Sequence, residues 1–184
     1  MNTHHLILGT LKDFLSGEEI ADTHDERYRQ RIARFLVDEK GFCPDNIKAG
    51  NRLTISASGE KAMINVDFLV YAGDKAMMII KYGPGSIITR HRPALAAARL
   101  MASYQIPVVV VTNGEEADVL WGRSGKIIGT GFDAIPGATE LLRISEQDDQ
   151  TISAERQELE ARIIYAFEVD GSCPCDSDIC RIES

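Results

Sequence analysis

Asp67 opens one apolar run, Phe68-Leu69-Val70-Tyr71, and Lys81 closes the next, Met77-Met78-Ile79-Ile80-Lys81, with the turn signal Gly73-Asp74 between them. An Asp at the start of a strand is an ordinary turn or cap residue, and a Lys ending an apolar strand ordinarily snorkels at a sheet edge. Taken alone, the pair leaves both a site and two unrelated surface residues open. Arg90 and Arg92 flank His91 just after Lys81, and Arg99 follows on the next helix. Guanidinium forks match phosphate oxygens, so these three form either a local phosphate contact or a solvated charged loop. Cys43 is isolated, whereas Cys173, Cys175 and Cys180 cluster as C-x-C-x4-C. Clustered Cys in a reducing compartment are more often metal ligands than disulfides, and the competing account, preferred here, is a short tail of free thiols. The four His are scattered without ligand spacing, and neither Gly83-Pro84-Gly85 nor Gly122 to Lys126 has the spacing of a phosphate loop.

These residues need elements to position them. Leu6, Ile7, Leu11, Phe14 and Leu15 follow a helical rhythm that stops at Ser16-Gly17. Thr23, with Glu26 three residues on, predicts the N-terminus of a second helix carrying Tyr28, Ile32, Phe35 and Leu36 on one face and Arg27, Arg29, Arg31 and Arg34 on the other. From Leu53 the period changes to two. Strands are predicted near Arg52 to Ser56, Ala62 to Tyr71 and Ala76 to Tyr82, joined as an antiparallel meander by Ser58-Gly59-Glu60 and Gly73-Asp74. Pro93 to Tyr104 is Ala-rich and helical, and Ile106 to Thr112 is an uninterrupted apolar strand of the kind buried on both faces. A hairpin follows over Ala117 to Gly129, then an acidic stretch read as a solvated linker, a helix from Ser153 to Phe167, and the Cys tail.

With the elements in place, the region from about Thr23 to Pro136 resembles the PD-(D/E)xK nuclease core, specifically the N-terminal domain of type I restriction enzyme R subunits. The resemblance rests on Thr23-His24-Asp25-Glu26-Arg27 opening a helix, on Asp67, the hairpin and Lys81, and on Ile106-Pro107-Val108 leading to Thr112-Asn113-Gly114. It implies a restriction-endonuclease-like α/β fold, with a mixed central sheet flanked by helices and a C-terminal hairpin and helix. It also implies metal-assisted phosphodiester hydrolysis on DNA, in which Asp67 would hold Mg²⁺ and Lys81 would serve the attacking water. The family's second acid, two residues before the Lys, is Ile79 here, and the positions of a Gln and a Tyr on the following helix correspond to Ala96 and Leu100. Ile79 and Lys81 share a face by period two, so a site would require Asp67 on that face as well.

One carboxylate is a poor Mg²⁺ site. The resemblance therefore implies an impaired nuclease fold, either a DNA-processing relative or a non-catalytic module for nucleic acid or protein. An active endonuclease would need a relocated acid, for which Glu26, Glu60 and Asp74 are poor substitutes. Some RecB-like nucleases close the same core with an iron–sulfur staple, and Cys43, Cys173, Cys175 and Cys180 are similarly distributed. The C-x-C start departs from the usual C-x2-C, and neither iron–sulfur nor zinc is expected.

Composition narrows the setting. The 184 residues are 44% hydrophobic, enough for one core, and 20 basic against 28 acidic side chains give a net charge of −8, which weakens sequence-blind attraction to a polyanion. No run approaches the roughly 20 apolar residues of a membrane span, and the N-terminus lacks a signal peptide's basic region, so a cytoplasmic protein without a membrane partner is expected. A restriction-endonuclease-like domain over 1–136, with its core at about 23–136, is expected to precede a linker, helix and Cys tail over 137–184. No helicase motor follows, so action alone or with separate protein subunits is expected.

Overall fold

The computed structural model describes residues 7–145 and 150–170 with their side chains, and 179–182 as backbone. Two strands, β1 (Gly9–Lys12) and β2 (Glu19–Asp22), form a small hairpin, and α1 (His24–Asp38) follows. The central sheet contains β3 (Ile47–Ala57), β4 (Glu60–Ala72), β5 (Lys75–Tyr82), β6 (Val108–Thr112), β7 (Ala117–Trp121) and β8 (Ile127–Thr130), in that spatial order. Between β5 and β6 runs α2 (His91–Leu100); α3 (Ala138–Ser145), α4 (Ala154–Ile164) and β9 (Ile179–Ile182) close the chain. All sheet pairings are antiparallel except β5 with β6, so the sheet is mixed, as expected.

Composition explains the layering. In β6, Val108 and Val110 join one core cluster while Val109 and Val111 join the other, so both faces of the strand are covered and its apolar run needs no alternation. Ile32 and Leu36 of α1 and Leu141 of α3 pack on the first face. On the second, Ala94, Ala96, Ala97 and Ala98 of α2 are fully buried, and their small side chains let the helix approach the sheet closely; Ala161 and Ile164 of α4 pack beside them. The result is three layers, α/β/α. Tyr28 lies against the Gly114 turn, where a Cβ would come within 2.2 Å of the Tyr28 ring and φ is 90°, so only glycine fits there.

The Thr23 cap forms as predicted, with Thr23 Oγ1 accepting the Glu26 N–H at 3.1 Å. Thr23→Ala is expected to lower stability by about 1 kcal/mol in a urea titration, with the m value unchanged.

Three segments differ from expectation. The N-terminal rhythm forms the β1–β2 hairpin rather than a helix. Asp13 Oδ1 accepts the N–H groups of Leu15 and Ser16 at 3.1 and 2.6 Å, a side-chain turn that competes with helix. Gln30 of α1 fastens that turn, accepting from the Phe14 N–H at 2.7 Å and donating to Asp13 Oδ2 at 2.6 Å. Residues 138–145, read as the start of a linker, form α3, because Leu141 has a core position to fill. Within the tail, 179–182 pair with β4 from Lys61 to Ile64, an edge that β5 leaves unpaired because it pairs only from Phe68 onward. Among the described residues no helix is long and apolar enough to cross a membrane.

Candidate functional site

Asp67 sits where β4 changes faces. Ala62, Ile64 and Val66 belong to the α2/α4 layer, whereas Phe68 and Val70 belong to the α1/α3 layer. The β3–β4 ladder passes from Ala49↔Phe68 to Asn51↔Val66, skipping Gly50 opposite Asp67, and Gly50 has φ 62°. A left-handed glycine in mid-strand breaks the alternation and bends the pair of strands.

At this bend the Asp67 carboxylate is almost buried, at 7% exposure, and both oxygens are engaged. Oδ1 accepts from Arg29 Nε at 2.7 Å, and Oδ2 accepts from the Tyr82 backbone N–H at 2.7 Å. The Arg29 guanidinium also stands 3.6 Å from Glu26 Oε2 and lies 5.5 Å from the Tyr82 ring centroid. Tyr82 in turn stacks on Tyr28 at 5.7 Å and donates its hydroxyl proton to Asp25 Oδ1 at 2.9 Å. Burial, reinforced by that acceptor carboxylate, pushes the Tyr82 phenol above its ordinary range, so it stays protonated. The result is a network of two α1 carboxylates, Arg29, Asp67 and Tyr82, which Gln30 joins to the Asp13 turn through Glu26 Oε1 at 2.9 Å.

Lys81 belongs to a different network. It lies on the face of Ile79, in the α2/α4 layer, because Ile80 and Tyr82 on either side of it pack in the other. Its ammonium donates to the Asn65 carbonyl at 2.7 Å and to Glu168 Oε2 at 3.0 Å. Asp67 and Lys81 are thus near in register, yet the carboxylate turns to α1 and the ammonium to the segment after α4. Ile79, between Leu69 and Val109 in register, is fully buried and supplies no oxygen. Glu60 and Asp74 stand in or beside the turns that join β3 to β4 and β4 to β5.

The three arginines do not form an open patch. Arg92 and Arg99 converge on Glu160 of α4, at 2.8 and 2.7 Å, and Arg156 joins them at 2.7 Å. Glu160 is fully buried. Burial alone would raise its carboxyl, but the Arg92 hydrogen bond and the charges of Arg99, Arg92 and Arg156 outweigh it and hold the group below its ordinary value. Arg90 donates to the Pro84 carbonyl at 3.0 Å and packs its guanidinium against Gly83.

Cys43 is an exposed free thiol. Cys173, Cys175 and the side chain of Cys180 lie outside the described residues.

Arg29, Tyr82, Glu160 and Glu168 were not singled out by sequence reasoning. Arg29 follows Glu26 by one helical turn, which was a weak signal; Glu160 and Glu168 had none, being far in sequence from their partners.

A helix, a three-strand meander, a second helix and a buried strand parallel to the last strand of the meander define the class as a mixed α/β domain. Residues 24–136 match the family model described as type I restriction enzyme R protein N terminus (HSDR_N), and the chain belongs to that family. No curated protein and no solved structure matches it.

Proposed function

We propose that this chain is a non-cleaving member of the family, a nuclease fold that contacts DNA without hydrolysing it. The observation that supports this most is the occupation of Asp67 by protein donors. Mg²⁺ demands near-octahedral oxygen ligands and gives up water reluctantly. Here one Asp67 oxygen is held by a guanidinium and the other by a backbone N–H, while the position of the second acid is a buried Ile79. The donor set does not fit the ion, because Arg29 already supplies the positive charge that a metal would bring. Lys81 is also turned away from Asp67, toward Glu168, and so lacks a reacting centre to serve. Contact with DNA is the part of the reading that family membership supports.

Calorimetric titration with Mn²⁺ tests the ligand count. Wild type and Asp67→Asn are expected to give the same weak heat, because Asp67 is unavailable to the ion. Saturable binding in wild type that disappears in Asp67→Asn would contradict the reading.

A further inference from the structure

The cations that would meet a phosphate are met instead by the protein's own C-terminal segment. Lys81 of β5 pairs with Glu168, and Arg92 and Arg99 of α2 pair with Glu160; both glutamates lie beyond the family-matched residues 24–136. The two contacts differ in kind. Glu160 is fully buried in a helix whose Ala161 and Ile164 are core, so it is a permanent fastening. Glu168 lies in a π-helical turn, Tyr165–Val169, closed by the Asp170 N–H on the Tyr165 carbonyl at 2.9 Å. Such turns are uncommon and re-aim side chains, frequently at functional positions. Here the Glu168 carboxylate is brought to the ammonium, with both side chains retaining some exposure, 16% and 12%. Phe167, beside it, is more than half exposed, while Val169 at the end of the turn is buried in the core, so the Glu168 carboxylate lies at the boundary between core and solvent.

We propose that Glu168 is an internal phosphate mimic that masks Lys81, and that DNA binds by displacing it. A carboxylate and a phosphate oxygen are interchangeable partners for an ammonium, so the Lys81 site exchanges one anion for the other while Glu160 keeps α4 docked. The mask would suppress binding to DNA in a chain whose net charge of −8 already disfavours it. The proposal rests on the reading that the Lys81 region faces DNA.

The test is fluorescence anisotropy of a labelled duplex DNA with wild type, Glu168→Gln and Glu168→Gln/Lys81→Ala, over a series of salt concentrations. Glu168→Gln is expected to bind about tenfold more tightly, the worth of one charge-assisted contact, with the salt slope unchanged, because Lys81 meets the same phosphate in both complexes once the carboxylate is displaced. The double variant is expected to return to the wild-type affinity. Unchanged affinity in a Glu168→Gln protein with a native melting transition overturns the mask. So does a gain that survives Lys81→Ala, which would reflect net charge alone, and so does a gain seen only with duplex RNA. Should Glu168→Gln fail to fold, Glu168→Met supplies the same deletion of charge with an apolar chain of similar length. Cleavage scored in the same samples would overturn the non-cleaving reading separately, leaving the mask to be decided by affinity.

Discussion

Glu160→Gln is expected to lower stability by about 3–5 kcal/mol, the usual result of removing one partner from a buried ion pair. Among the described residues Glu160 is the carboxylate paired with Arg92, Arg99 and Arg156, and of these Arg99 suffers most, since only 10% of its side chain is exposed while the others retain contact with water. The neutral amide leaves a guanidinium in the interior without its charge partner. For a domain of this size the loss corresponds to a fall of roughly 10 °C in the melting temperature. The pH dependence follows from the direction of the shift. Because the folded carboxyl titrates below the ordinary value of 4.5, its contribution is complete above that pH and disappears as the pH falls through the lower folded value. Wild type and Glu160→Gln should therefore differ most near neutrality and converge under strongly acid conditions. A difference that stays constant down to low pH would show that the effect comes from packing rather than charge.

Ile79→Glu is the second variant with a large expected effect, and the structure reverses what the family pattern suggests for it. Restoring an acid two residues before Lys81 looks like a repair of the motif. The Ile79 side chain, however, is fully buried in the α2/α4 layer among Leu69, Val109 and Val111, and the Lys81 ammonium is already committed to Asn65 and Glu168. A carboxyl placed there avoids burying its charge by taking up a proton. Neutralising it at pH 7 costs about 3–4 kcal/mol from the ordinary Glu pKa alone, before the lost apolar contact is counted. Its folded pKa is raised above the unfolded one, so the deficit should be smallest in acid, where the lost apolar contact and the buried neutral carboxyl remain, and should grow as the pH rises above about 4.3. Ile79→Leu, which conserves volume, is expected to change stability by less than about 1.5 kcal/mol. Chemical denaturation of the three proteins at acid and neutral pH measures both effects. An Ile79→Glu protein as stable as wild type at pH 7 would place water or a counter-cation next to position 79.

How much of this was legible in the sequence depends on the range of the forces involved. The meander could be read because Leu53 to Ala57 alternates with period two, Phe68 to Ala72 and Ala76 to Ile80 are short apolar runs, and Gly59 and Gly73 mark the turns between them, all of which is local. The buried strand could be read because Val108 to Val111 has no polar face to expose. The hairpin at β1–β2 could not, since Leu11, Phe14 and Leu15 suit a helix equally well and the choice is made by Asp13 and by Gln30, which is distant in sequence. The site was half legible. Residue types identified Asp67 and Lys81, but extrapolating period two through Asp67 requires an unbroken strand, and the bend opposite Gly50 breaks it. The fates of Arg92 and Arg99 were invisible because their partner lies 68 and 61 residues further along the chain, and nothing local distinguishes an arginine awaiting a phosphate from one awaiting a glutamate.

The proposal at stake is that Asp67 and Lys81 serve no phosphodiester hydrolysis in this chain. Its most direct test is a cleavage assay with labelled single- and double-stranded DNA, comparing wild type with Lys81→Ala in Mg²⁺ and in Mn²⁺. The account predicts that neither protein produces cleavage above the buffer control with either metal. Cleavage by wild type that disappears in Lys81→Ala would contradict it, and would show that another acid completes a working site around Lys81.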